Sequence, residues 1–144
     1  MPYPDFFTQP MREELTALGF RELTTAADVD QVVTGSPGVV MLVVNSVCGC
    51  AAGRARPGIA DALRHTSRPD VLATVFAGAD IEATDRARQY FTGYGPSSPS
   101  VALLKEGKLL YMMERKNIEI RSAEEIAAEL RAAFDKFCAT PVSQ

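Results

Sequence analysis

Two cysteines separated by one residue, Cys48-Gly49-Cys50, are the side chains of this sequence whose type and spacing could do chemistry. A thiol acts as nucleophile or metal ligand in its thiolate form. The pair stands where a continuous apolar run, Val39 to Val44, gives way to an alanine-rich stretch beginning at Ala51. That pattern predicts the junction of a buried strand and a helix. Open α/β sheets place reactive groups at such strand ends. A sulfur there faces unpaired backbone N–H groups and the positive end of a helix dipole, both of which favour the thiolate. Arg54 and Arg56 follow within two turns and are expected to add positive potential. A lowered pKa is therefore expected for the more exposed sulfur, assigned to Cys48.

The one-residue spacing has a consequence. Positions i and i+2 of an extended chain are about 6.6 Å apart, whereas a relaxed disulfide prefers Cα atoms about 5.5–6 Å apart. The chain must bend at Gly49, where the missing Cβ makes bending easy. A disulfide across this pair is expected to be readily reduced, which suits isomerase or thiol-exchange work. Two other readings stay open at this point. The cysteines could be buried and inert. They could also hold a metal ion, although a zinc site needs further N or S ligands, and the candidates left are Cys138 and His65 in other elements. Cys138 reads as a helix-end cysteine and, less naturally, as a third redox partner. His65 reads as a cation at a helix C-terminus.

The elements that must position the pair follow from periodicity and caps. Helices are expected over Thr8 to Leu18, with Thr8 as cap and Gly19 as stop, and over Thr25 to Val33, with Thr25 as cap. Ala51 to His65 is helical with a kink or break at Pro57. Val71 to Phe76 is a second strand, and Asp80 to Phe91 a helix with Ile81, Ala87, Tyr90 and Phe91 partly inward. After a loop from Gly93 to Pro99, Val101 to Leu104 and Leu109 to Met113 form a hairpin turning at Glu106-Gly107. Ser122 to Phe137 is a closing helix, with Ser122 and Glu125 as a capping box. The order α, α, β, α, β, α, β, β, α implies a parallel pair, an antiparallel hairpin and a mixed sheet with helices on both faces. Ser98-Pro99, just before a strand, is the second candidate site. Base rates alone favour a trans bond there.

The chain has 144 residues and a formal net charge of −3, which suits one domain. Residues 1–36 read as an N-terminal helical extension and 138–144 as a short tail. The absence of a basic stripe argues against nucleic-acid binding, and no apolar run is long enough for a membrane span. No basic-then-apolar leader pattern opens the sequence, so the expected compartment is the cytoplasm. Three cysteines are too few for a secreted disulfide scaffold.

A cysteine pair between strand and helix, a Ser-Pro before a strand, and that strand turning through Lys105-Glu106-Gly107-Lys108 into a hairpin and closing helix together resemble the thioredoxin fold. The resemblance implies a cis Pro99 facing the cysteines, with Ser98 offering its backbone to an extended substrate. The usual pair is C-x-x-C, so C-G-C departs from it. Met11 to Thr16, VVMLVVNSVCGCAAG and SPSVALLKEGK resemble the bacilliredoxin family across nearly the whole chain. That resemblance implies an α/β, thioredoxin-like fold with a sheet of about four strands. It also implies a cytoplasmic thiol–disulfide oxidoreductase that removes bacillithiol or a related small thiol from S-thiolated client proteins, disulfide isomerase activity being attributed to the family as well. Cys48 would attack and Cys50 resolve. Gly49, Ser98, Pro99 and the loop from Tyr94 would shape the client groove. Bacillithiol would be a co-substrate, with no cofactor or metal.

Overall fold

The computed structural model describes residues 2–138 as a five-stranded mixed sheet in the order β1-β3-β2-β4-β5, covered by helices on both faces. The strands are β1 (Arg21–Glu22), β2 (Val39–Asn45), β3 (Val71–Phe76), β4 (Ser100–Lys105) and β5 (Lys108–Met113). β1 and β2 run parallel to β3, while β2–β4 and β4–β5 are antiparallel. The sequence suggested about four strands; β1 is the fifth. It has two residues, both charged, and carries no alternating pattern that could announce it.

β2 is buried at all seven positions, as its unbroken apolar run requires. Val39, Met41 and Val43 point into one core with Leu15, Ile59, Ile126 and Phe134. Val40, Leu42 and Val44 point into the other with Val29, Val32, Ala83 and Ala87. The strand with the chemistry at its end is thus held between two hydrophobic layers.

The helices are α1 (Asp5–Thr16), α2 (Ala26–Gly35), α3 (Arg56–Ala62), α4 (Ile81–Gln89), α5 (Arg115–Ile118) and α6 (Ala123–Phe137). Thr25 caps α2 by accepting from the Asp28 amide, and Ser122 with Glu125 forms the expected capping box of α6. Each such cap contributes about 1 kcal/mol. α1 begins earlier than expected: Pro4 precedes it, and Thr8 is buried inside it rather than capping it. Ile81 is exposed, not inward, because the apolar face of α4 is made by Ala83, Thr84 and Ala87. The hairpin turn carries positive φ at both Glu106 (52°) and Gly107 (80°), the two-residue turn that matches strand twist.

The break anticipated at Pro57 is a π-helical turn, Ala51–Ala55, that leads into α3. The Arg56 amide bonds to the Ala51 carbonyl, five residues back, so the chain widens one turn ahead of the proline. Pro57 then falls in the first turn of α3, where its missing N–H leaves nothing unpaired.

Candidate active site

Beyond β2 the chain passes through Ser46 and Val47 to Cys48, and turns helical at Gly49. A chain of hydrogen bonds fixes this corner. Asn45 is buried; its Nδ2 donates to the Met11 carbonyl at 3.2 Å, and its Oδ1 accepts from the Ser46 amide at 2.9 Å. Ser46 Oγ accepts from the Cys48 amide at 3.0 Å. Arg56, only 4% exposed, donates to Asn45 Oδ1 (2.9 Å), the Ser46 carbonyl (3.0 Å) and Glu14 Oε1 (2.9 Å). α1 is thereby tied to the turn that carries the cysteines.

The two sulfurs lie 2.7 Å apart and are half-buried. Burial pushes the Cys48 thiol up, but hydrogen bonds from the Cys50 thiol and amide, the positive charge of Arg115 and the Ala51 amide outweigh it. The net result is a Cys48 pKa below the ordinary thiol value. Cys50 moves the other way, because burial and the adjacent Cys48 sulfur outweigh the same Arg115. The two directions make Cys48 the sulfur that gives up its proton first. Gly49 is exposed, and a Cβ built there would meet nothing within 4 Å. Its φ is outside the left-handed region, so the fold itself does not demand glycine at this position.

The cation that favours the thiolate is Arg115, not the two arginines that follow the pair in sequence. Arg54 donates to the Arg121 carbonyl at 2.7 Å, and Arg56 is turned inward as described. Arg115 opens α5, a four-residue helix that sequence periodicity is too short to reveal. The topology offered a signal. β5 runs antiparallel to β4, which runs antiparallel to β2, so the chain leaving β5 emerges at the same end of the sheet as Cys48. Ser97 Oγ accepts from the Arg115 amide at 2.7 Å, joining this corner to the proline loop.

The Ser98–Pro99 bond is cis, as the resemblance implied and against the base rate. Pro99 is buried and Ser98 half-buried. Cys48 and Ser98 line one cavity of about 370 Å³ together with Tyr3, Gly78, Arg88 and Arg115. Tyr3 is held there by donating its amide to the Gly78 carbonyl at 2.9 Å. A neighbouring cavity of about 450 Å³ shares Arg88, Ser98 and Arg115. Tyr94, expected at this groove, lies instead with Leu110, Tyr111 and Met112 around a different hollow.

The possible extra metal ligands are elsewhere. His65 Nε2 pairs with Asp135 at 2.9 Å rather than capping its helix. Cys138 is buried, and burial with the charges of Asp70 and Asp135 raises its pKa to about 11. Asp70 bonds to the Val39 amide, at the far end of seven-residue β2 from the pair, about 20 Å away. A carboxylate whose charge acts on Cys138 thus lies at the opposite end of β2 from the pair. Among the described residues no group of three or more His, Cys, Asp or Glu side chains is placed to hold a metal ion, and no helix is long and apolar enough to cross a membrane. The tail beyond Cys138 lies outside the described residues.

A family model described as disulphide isomerase matches residues 3–138. A bacilliredoxin of Koribacter versatilis is 57% identical over 136 residues, covering 94% of each chain. A bacilliredoxin of Geobacillus kaustophilus is 50% identical over 142 residues, covering 96% of this chain and 98% of that one. Among solved structures, Plasmodium falciparum oxidised thioredoxin superposes with a TM-score of 0.58 at 16% identity, covering 83% of this chain and 99% of its own. Fasciola hepatica thioredoxin gives 0.55 at 19% identity, covering 82% of this chain and 99% of its own. At such identities these two establish the thioredoxin fold alone.

Proposed function

We propose, from the premise that the chain belongs to the bacilliredoxin family and is a thiol–disulfide oxidoreductase, that its reaction is removal of bacillithiol or a related small thiol from client proteins. The carrying observation is the division of labour between the two sulfurs. Cys48 is held toward the thiolate and Cys50 toward the thiol, at 2.7 Å from each other.

In the first step the Cys48 thiolate attacks the small-thiol sulfur of the client's mixed disulfide. A Cys48–small-thiol disulfide forms, the bond to the client breaks, and the client leaves as a thiolate that takes a proton from solvent. Cys48 no longer carries charge at that point. The repulsion that kept Cys50 protonated is gone while Arg115 remains. Cys50 can then lose its proton and attack Cys48, expelling the small thiol as its thiolate and leaving a Cys48–Cys50 disulfide. A second small thiol attacking the mixed disulfide would free Cys48 directly. A dithiol reductant supplying two electrons, or further equivalents of small thiol, would restore an oxidised pair. Ser98, which shares a cavity with Cys48, and the cis Pro99 that follows it would receive the client backbone. The cytoplasm, where S-thiolated clients and reductant coexist, is the proposed compartment.

Loss of Cys48 tests this. Cys48→Ser should abolish release of small thiol from a bacillithiolated client, read by thiol appearance, and Cys50→Ser should accumulate the mixed disulfide on Cys48, read by intact mass. A fully active Cys48→Ser protein would end the proposal. The family model's description favours a second reading, general disulfide isomerisation. Greater turnover on scrambled disulfides than on bacillithiolated clients would select it.

A further inference from the structure

The cavity opening on Cys48 is lined by two arginines, Arg88 and Arg115, and by no carboxylate. The adjoining cavity adds Lys116, Glu114 and Glu119. Its cations are not equivalent. Lys116 Nζ lies 3.5 Å from Glu114, and Arg115 Nε donates to Glu119 at 3.3 Å. Arg88 has no acidic partner among the described residues. Its Nε is shut off from solvent and is the buried side-chain polar atom of those residues left without a hydrogen bond. A buried, unpaired N–H leaves the Arg88 cation poorly compensated; with Nε closed off, a ligand in the cavity would meet the terminal nitrogens. Guanidinium is planar and forked, and matches a carboxylate with two parallel hydrogen bonds.

We infer that Arg88, assisted by Arg115, forms an anion subsite beside Cys48 that takes a carboxylate of the small thiol being removed. The inference rests on the reading that Cys48 accepts a small thiol, and it deepens that reading by naming the side chains that hold the thiol's acidic end. Both cavities meet at Arg88, Ser98 and Arg115. A thiol bonded to Cys48 can therefore lay its acidic end on Arg88 while the client lies toward Ser98. The same guanidinium would orient the incoming mixed disulfide so that the small-thiol sulfur, not the client sulfur, faces Cys48.

The test has two arms. In the first, reduced Cys50→Ser protein reacts with a carboxylated aryl disulfide (dithiobis-nitrobenzoate) and with an uncharged dipyridyl disulfide, and the ratio of the two rates is measured. Arg88→Gln should lower that ratio about tenfold, the scale of one charge-assisted hydrogen-bond pair. Arg88→Lys should recover part of it by restoring the charge without the fork, and Arg64→Gln, a distant exposed control, should leave it in place. A ratio within twofold of the parent in Arg88→Gln overturns the subsite.

In the second arm the full-length protein acts on client peptides carrying bacillithiol or mercaptoethanol, each with Asp or Asn beside the modified cysteine. Preference should follow the charge of the small thiol and vanish in Arg88→Gln. Preference following the peptide's charge alone overturns the assignment to the small thiol. No turnover of any mixed disulfide, with the first arm intact, removes the de-thiolation reading while the anion subsite stands.

Discussion

Arg12 and Arg56, behind the site, and Arg88 and Arg115, across Cys48, are the same residue put to opposite uses. Arg12 is 7% exposed; it donates to Thr8, to Glu22 and to both Asp80 oxygens, and lies over the Phe76 ring at 5.0 Å. Arg56 has Glu14, Asn45 and the Ser46 carbonyl. Their partners all come from within the chain, so these two hold α1 against the sheet edge and brace the cysteine turn. Arg88 and Arg115 are left under-answered beside a sulfur. Satisfied cations stiffen a fold, while unsatisfied ones create a field that something else must meet.

If that contrast is sound, the largest effect should come from Arg12→Met. Removing the guanidinium leaves Asp80 and Glu22 facing each other with Asp80 nearly buried, a loss of about 3–5 kcal/mol by urea melt. Arg56→Met should cost less, about 2–3 kcal/mol, because Glu14 is half exposed and can be rehydrated while Asn45 Oδ1 loses a buried donor. Arg115→Gln should leave the melt almost unchanged and act on chemistry instead. Cys48 sits below its ordinary pKa partly through this charge. Its alkylation rate, which rises with pH to a plateau, should therefore reach half-plateau at higher pH in the variant, and at neutral pH Cys48 should react a few-fold more slowly. An Arg115→Gln protein with an unshifted profile would break the comparison at its centre. The smallest effect belongs to Arg54→Gln. Arg54 is close to the pair in sequence but spent on the Arg121 carbonyl, so both stability (within about 0.5 kcal/mol) and the alkylation profile should stay put.

The same contrast explains what could be read in advance. β2 was legible because a strand buried on both faces must be apolar at every position. The Glu106-Gly107 turn and the Ser122–Glu125 box were legible because their chemistry is local. The position of the cysteine pair followed from those elements. Arg115 was legible only through the strand topology, because its nearness to Cys48 is created by two antiparallel pairings, and Arg54 and Arg56 looked better placed along the chain. Arg12 reads as an ordinary surface residue of α1 until Asp80, 68 positions away, is brought to it. β1 and α5 are too short to carry a period. What depends on neighbours in sequence was visible; what depends on neighbours in space was not.

Tyr3 forms part of the wall of the cavity over Cys48, and its backbone is fastened to Gly78, whose missing Cβ leaves room for the ring, since a Cβ there would meet it at 2.6 Å. Removing that ring, as in Tyr3→Ala, should therefore widen the approach to Cys48 and speed its reaction with bulky disulfides more than with small ones.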